Sequence, residues 1–415
     1  MTRSVYRAAP AAAEPVRQVN LRAHNLTLLF HRIVAARGVP ISRIELARAT
    51  GLTRPTVTRI VDDLLAGGLI VEAGPDRSGG TGRPRVGLLL SRTGPAGLGL
   101  DIRVDSLTAC VVDLTGSVRH LGFAPRTRGG PEQTVEDLAT MARQAIAAAA
   151  AEGLTVVGAT LAAPGLVRDH SVVRSLSGLG WHDFDAGAAL RASIGDDLPV
   201  GVDNDASLAA LAELYAGDPE LRDFVCVFGD FDLGAGIVLN GVPLDGARRW
   251  SGQLGHIPVL ADGGRCTCGA VGCVQHTAGL EAILAAVPEA ARRAGTRSHQ
   301  TPAVTVDALA DAGSPEVLAA LELAGTTLGR AIATLLTIVE VDMVLLDGAY
   351  SLLAAWIGEH VQAELDSRAP ATWSRAEVRS APLGPDAAVI GAALVSVDAV
   401  RASPVSWLER TAPHR

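Results

Sequence analysis

Residues 255–273 read GHIPVLADGGRCTCGAVGC, and they constrain this 415-residue chain more than any other stretch. His256 stands ten residues before Cys266, and Cys268 and Cys273 follow close behind. Three thiols and one imidazole form the ligand set of a closed tetrahedral zinc site. Gly263, Gly264, Gly269 and Gly272 allow the tight turns needed to bring all four onto one ion. No coordination position is left for water, so a zinc held here is structural and fixes a loop. The alternative is a chance cluster in a cysteine-poor chain.

This arrangement resembles the ROK family (repressors, open reading frames, kinases). The family's signature runs from a Gly-Glu-hydrophobic-Gly-His element into CxCGxxGC, followed by a hydrophobic residue and Glu. The first element is Gly252-Gln253-Leu254-Gly255-His256 here, and the second ends Cys273-Val274-Gln275, so Gln replaces Glu at both places. The likeness extends from about residue 96 onward. It implies an actin-like, hexokinase-type ATPase fold of two α/β subdomains.

Composition supports more than one domain, since 415 residues exceed what a single core accommodates. No run of about 18 uncharged apolar residues occurs, so no membrane span is expected. The alanine-rich start is broken by Pro10 and Glu14 and reads as a disordered tail over residues 1–19. Three cysteines are grouped as ligands, and Cys110 and Cys226 lie in apolar runs. That pattern fits reduced thiols in a cytoplasm. The net charge of −8 is unevenly distributed: residues 1–95 carry 14 Arg against six acids, the remainder 22 Arg against 38. A basic N-terminal segment on an acidic body points to a polyanion-binding module fused to a globular one. The chain has no Lys, which excludes a Walker-type phosphate loop.

Residues 20–92 read as a winged helix-turn-helix. The spacing of Leu21, Leu26, Leu28, Leu29, Ile33 and Val34 predicts a helix over 20–36. Ser42 caps a second helix whose Ile44, Leu46 and Ala47 are expected to face inward, and Gly51 makes the turn. Thr53 caps a third, with Pro55 in its first turn. Arg54, Thr56, Thr58 and Arg59 on that third helix are candidates for contact with double-stranded DNA. Strand-like runs at 69–72 and 86–90 flank a glycine-rich loop whose Arg77, Arg83 and Arg85 suit phosphates or a narrow minor groove. The unit resembles a MarR-type winged helix. An ordinary helical hairpin is the competing reading.

From residue 96 to about 400, strand and helix patterns alternate, predicting α/β layers on a largely parallel sheet, with 401–415 left as a C-terminal tail. In ROK kinases the first strand ends in DIGGT, whose glycines let backbone amides approach phosphates. Here the place reads Asp101-Ile102-Arg103-Val104-Asp105. The second phosphate loop carries Asp230 and Asp232, and the adenosine-side glycine pair has become Asp347-Gly348-Ala349. Carboxylates repel a triphosphate, so ATP binding is not expected and Asp205 is left as a vestigial base.

By the same resemblance the sugar side is better kept. Asn204 and Asp205 match its Asn-Asp-Ala element, His256 both ligates zinc and touches sugar, and Gln253 and Gln275 complete the effector candidates. Gly178 stands where kinases often place a sugar-binding Asn. Gln for Glu weakens charge-assisted bonds to hydroxyls. A turn or helix cap leading into 208–214 is the other reading of Asn204-Asp205.

The expectation is a non-enzymatic, DNA-binding regulator, a repressor of a carbohydrate operon with a sugar or sugar-derivative effector, acting as a homodimer or homotetramer. The alternatives are a ROK sugar kinase with an accessory domain, and an effector-independent DNA-binding dimer.

Overall fold

The computed structural model describes residues 18–74, 86–127, 129–195, 197–218, 220–230, 232–288, 301–368 and 375–411. The chain divides into two compact units, 1–91 with 400–415, and 92–399.

The first unit contains α1 (Gln18–Ala35), β1 (Ile41–Ser42), α2 (Arg43–Thr50), α3 (Arg54–Ala66), β2 (Ile70–Glu72) and β3 (Gly87–Leu90). Its sheet runs β1-β3-β2, antiparallel throughout. Ser42 opens α2 in a capping box: its hydroxyl accepts from the Glu45 amide while the Glu45 carboxylate accepts from the Ser42 amide. Gly51 ends that helix at φ 71°, the left-handed conformation the turn requires. Thr53 caps α3, which buries Val57, Ile60, Val61 and Leu64 at helical spacing, and Leu29, Phe30, Leu46 and Leu88 are buried in the same unit. Ile44 does not face inward as expected: it is exposed, because a two-turn helix reaches the core through Leu46.

The expected tail at 401–415 is also corrected. Residues Pro404–Thr411 form a helix of this unit, with Trp407 buried and its indole N–H donating to the Gly67 carbonyl at 2.8 Å. A Cβ on Gly67 would lie 2.0 Å from Leu408 Cδ2, so the glycine makes room for this helix.

The second unit has two lobes. In the first, β4 (Gly94–Ile102), β5 (Ser106–Asp113), β6 (Val118–Pro125), β7 (Leu154–Ala163) and β11 (Val200–Asn204) form a sheet ordered β11-β7-β4-β5-β6. Helices α4 (Pro131–Ala151) and α5 (Ala186–Ile194) cover it, and β8 (Leu166–Arg168), β9 (Val172–Leu176) and β10 (Trp181–Asp185) make a small antiparallel sheet beside it. Helix α6 (Asp205–Ala216) leads to the second lobe. There β12 (Phe224–Gly229), β13 (Leu233–Leu239), β14 (Val242–Pro243), β15 (Met343–Gly348) and β16 (Glu377–Ser380) are ordered β14-β13-β12-β15-β16. Short helices α7 (Gln275–Ala278) and α8 (Leu280–Ala285) and the longer α9 (Thr301–Asp311), α10 (Pro315–Leu336) and α11 (Ala349–Arg368) enclose its core.

Both sheets are mixed, not largely parallel. The pairs β4–β5 and β12–β13 are joined by tight turns, which force antiparallel partners, while the crossovers through helices leave β7, β11, β15 and β16 parallel to their neighbours. The first of these connections carries Arg103, and Asp230 and Asp232 stand at the second. Among the described residues, α10 is long and apolar enough to cross a membrane, but Val317, Leu321, Leu328 and Ile332 on it are core residues.

Candidate functional site

The four thiol and imidazole groups converge. The ligand atoms of His256, Cys266, Cys268 and Cys273 all lie within 4.8 Å of one another. Cys266 Sγ is 3.6 Å from His256 Nδ1, and the Sγ atoms of Cys268 and Cys273 are 3.7 Å apart. A tetrahedron with bonds of about 2.3 Å has edges of about 3.8 Å, so these two pairs stand at the spacing a zinc site requires. Gly272 sits at φ 77°, where a Cβ would come 1.7 Å from the Leu260 carbonyl oxygen, so only glycine lets the loop close. Burial pushes the Cys273 thiol up to about 12. For Cys266, burial acts in the same direction, but hydrogen bonds from Cys268, Cys273 and Thr267 prevail and hold it below the ordinary thiol value. Four protein donors leave no open position, so an ion here would cross-link the loop and activate no water.

The loop passes its order to the cleft. Cys273 leads directly into α7, whose first residue Gln275 accepts the Leu233 amide through Oε1 at 2.8 Å. The Leu280 amide donates to the Asp230 carbonyl. Gln275 therefore fastens the β12–β13 turn. Gln253 is half-buried and makes no capping bond to the short turn it opens. His256, with one ring nitrogen facing Cys266, ends that turn.

At the end of β4 stands Arg103, where the resemblance expects a phosphate-loop glycine. Its Nε donates to Asp101 Oδ2 at 2.8 Å, its Nη1 pairs with Asp230 Oδ2 at 3.2 Å, and its Nη2 donates to the Pro385 carbonyl. Burial alone would make the guanidinium easier to deprotonate, but Asp101 and Asp230 reverse that and hold its pKa above the ordinary value. A Cβ on Gly178 would lie 2.9 Å from Val104 Cγ2, so the valine packs closely over that glycine. Asp105 is different from its expected role: it is exposed in the β4–β5 turn, accepts from the Ser106 hydroxyl, and does not line the recess.

Asp101, Arg103, Val104, Pro164, Asp205, Phe228, Asp230 and Asp232 line a small recess that opens to solvent. Asn204 is the N-cap of α6: its Oδ1 accepts from the Ser207 amide, and its Nδ2 donates to the Gly165 carbonyl and Asp205 Oδ1. The cap reading of Asn204 therefore holds, and it places Asp205 at the cleft. Asp205 is pushed up to about 8, first by burial and then by the charge of Asp101, against the Ala206 amide that donates to it.

Sequence reasoning missed Arg249. It adopts φ 59° and pairs through Nη2 with Asp203 at 3.1 Å and through Nη1 with Asp245 at 2.8 Å. Its neighbour Trp250 donates to the Val167 carbonyl. The 245–250 loop of the second lobe thus reaches β8 and β11 of the first, beside Asn204. The run Arg248-Arg249-Trp250 just before the Gly252-Gln253 element was the available signal.

In the first unit Arg54, Thr58 and Arg59 are exposed on α3, and Thr56, half-buried, bonds to the Thr53 hydroxyl. Arg22 and Arg43 pair with Asp63, Asp62 and Glu72, whereas among the described residues Arg54 and Arg59 pair with nothing. Two cations free of internal partners on the exposed face of a helix-turn-helix can meet phosphate or base edges. Arg77, Arg83 and Arg85 lie at 75–85, outside the described residues.

Fold and site together define a helix-turn-helix unit and a two-lobed α/β unit that carries a His/Cys cluster able to hold a metal. The model of the ROK family matches residues 97–398, and that of the MarR family matches 27–79. The chain belongs to the ROK family. It is 25% identical over 376 residues to the xylose repressor of Bacillus subtilis, covering 90% of this chain and 95% of that protein. A glucokinase of Halalkalibacterium halodurans is 31% identical over 254 residues, 57% of this chain and 74% of the kinase. A crystal structure of a ROK family transcriptional regulator, homologous to the Escherichia coli Mlc protein, superposes with a TM-score of 0.73 at 23% identity. It covers 94% of this chain and 99% of that one, and shows the shared fold.

Proposed function

We propose that the chain is a DNA-binding, sugar-responsive transcriptional repressor working in the cytoplasm as a homo-oligomer, with a zinc-held body that does not phosphorylate. The observation that carries the reading is the pair of arginines, Arg54 and Arg59, on the exposed face of α3, which have no partner among the described residues. With Thr56 and Thr58 they are the candidates for major-groove contact, and Arg77, Arg83 and Arg85, outside the described residues, are candidates for phosphate contact. The full-length likeness to a xylose repressor supports the same reading.

In the body, Asn204, Asp205, Gln253, His256 and Gln275 frame the effector position. Arg103 fills the phosphate position with a side chain already committed to Asp101 and Asp230, which favours a sensor over an enzyme. His256, Cys266, Cys268 and Cys273 would hold zinc, which supplies only a structural cross-link.

The test is a gel shift on DNA from around the protein's own gene, repeated with a panel of monosaccharides. A retarded complex released by one sugar supports the reading, and a complex indifferent to every sugar leaves only a DNA-binding dimer. The 31% likeness to a glucokinase favours a kinase as the second reading. Sugar-dependent ATP consumption that is lost in Asp205→Asn would establish it.

A further inference from the structure

Two ion pairs of different character join the lobes of the second unit. Arg103 of the first lobe meets Asp230 of the second in a buried pair. Arg249 of the second lobe meets Asp203 of the first, and here Arg249 is 37% exposed and Asp203 17%. Water and salt therefore reach the second pair. The Asp203 carboxylate is divided between two tasks: Oδ1 accepts the Asn204 amide at 2.9 Å, while Oδ2 meets Arg249 at 3.1 Å and faces His170 Nδ1 at 3.6 Å. Trp250 adds a second strut from the same loop, its indole N–H donating to the Val167 carbonyl at 3.1 Å.

The backbone is held against its own preference to make this contact. Arg249 sits at φ 59° and His170 at φ 53°, the left-handed conformation that is costly for a residue with a Cβ, and both face the same oxygen of Asp203. Strain of this kind persists where surrounding contacts impose it. The contact also lies between the parts of the effector position. Asp203 directly precedes Asn204, which ends β11 and caps α6. Arg249 stands just ahead of Gly252, whose carbonyl accepts from the Ala235 and Leu254 amides and so fixes the turn that carries Gln253 and His256. A Cβ on Gly252 would come 1.7 Å from the Ala235 carbonyl oxygen, so the loop leaves this point by one route. Asn204 comes from the first lobe, Gln253 and His256 from the second, and the Arg249–Asp203 pair sets the register between them.

We propose that Arg249 is a positioning residue for the effector: through Asp203 it sets Asn204 of the first lobe against Gln253 and His256 of the second. The proposal rests on the sugar-sensing reading and adds to it a residue that touches no sugar. Salt screens exposed charges and leaves buried ones largely alone, so the Arg249 pair weakens as ionic strength rises while the Arg103 pair holds. A neutral sugar is then bound with a salt dependence that its own chemistry does not supply.

The test is isothermal titration of the full-length protein with the neutral sugars D-glucose, D-xylose, D-galactose, D-mannose and N-acetyl-D-glucosamine, at about 0.05 M and about 0.5 M NaCl. A sugar that binds should do so about two- to threefold more weakly at the higher salt. Arg249→Gln should bind it about fivefold more weakly at low salt and lose the salt dependence, with metal content unchanged, and Arg249→Lys should keep part of the affinity. Asp203→Asn, which retains an acceptor for the Asn204 amide, should match Arg249→Gln, and the double variant should lose no more than either single one. Wild-type affinity in Arg249→Gln, losses that add in the double variant, or a wild-type affinity indifferent to salt would each overturn the proposal and leave the sugar-sensing reading standing. Binding of no sugar at all overturns both. The wild-type salt series decides even if a variant fails to fold.

Discussion

Replacing Arg103 with Ala should be among the most damaging single changes in the body. The guanidinium is 8% exposed and bridges Asp101, 3% exposed, to Asp230, 14% exposed. Solvent therefore screens the pair little. Removing one partner of a buried ion pair leaves uncompensated charge and costs about 3–5 kcal/mol. That is a large part of the roughly 5–15 kcal/mol that holds a typical domain together. Arg22→Ala is the control: it breaks an ion pair of the same 2.8 Å length with Asp63, but Arg22 is 60% exposed, and such pairs are worth about 0–1 kcal/mol. Urea denaturation of wild type and both variants gives the comparison. Because the loss comes from stranded carboxylates, Arg103→Met combined with Asp101→Asn and Asp230→Asn should recover most of it. If Arg103→Ala falls within about 1 kcal/mol of wild type, the guanidinium is not the bridge described here.

Elemental analysis of protein purified without chelator should find one zinc per chain, and Cys266→Ser should lose it, because three remaining donors no longer close the site. Metal retained in full by Cys266→Ser would contradict that assignment. Stability should also fall as pH rises. Glu213, 1% exposed, is pushed up to about 7 by burial, and Asp347 to about 7 by burial and then by the charge of Glu213. The folded chain thus keeps protons that the unfolded chain releases near pH 4. Their stabilisation is complete below that value, is lost up to about pH 7, and changes no further above it. Glu213→Gln should make the decline between about pH 5 and 7 shallower, by up to about 1.4 kcal/mol per pH unit. An unchanged slope in denaturation midpoints refutes the cause.

Local features were the most legible. Ligand spacing and glycines located the His/Cys cluster, and Ser42, Gly51 and Thr53 marked the helix boundaries, because caps act through residues three or four apart. Position 103 was legible only as a lost glycine. That its guanidinium turns back onto Asp101 and across to Asp230 depends on a turn 127 residues away. The packing of Val104 on Gly178 is hidden for the same reason. The strand pattern could not show that β5 and β13 return as hairpins, since apolar runs look alike in parallel and antiparallel sheets. The helix at Pro404–Thr411 was overlooked because eight residues carry too little periodicity, and its anchor, Trp407 on Gly67, is a long-range contact.

The most direct test of the account is the affinity of the full-length protein for DNA from around its own gene, measured against a random duplex at fixed salt. The account expects a specific complex at an inverted repeat, weakened by about 1–3 kcal/mol in Arg54→Ala or Arg59→Ala where the lost side chain reads a guanine. A side chain that met only phosphate would instead weaken both duplexes alike and flatten the salt dependence. Binding to the native DNA no tighter than to the random duplex, with Arg54→Ala indistinguishable from wild type, would contradict the regulator reading.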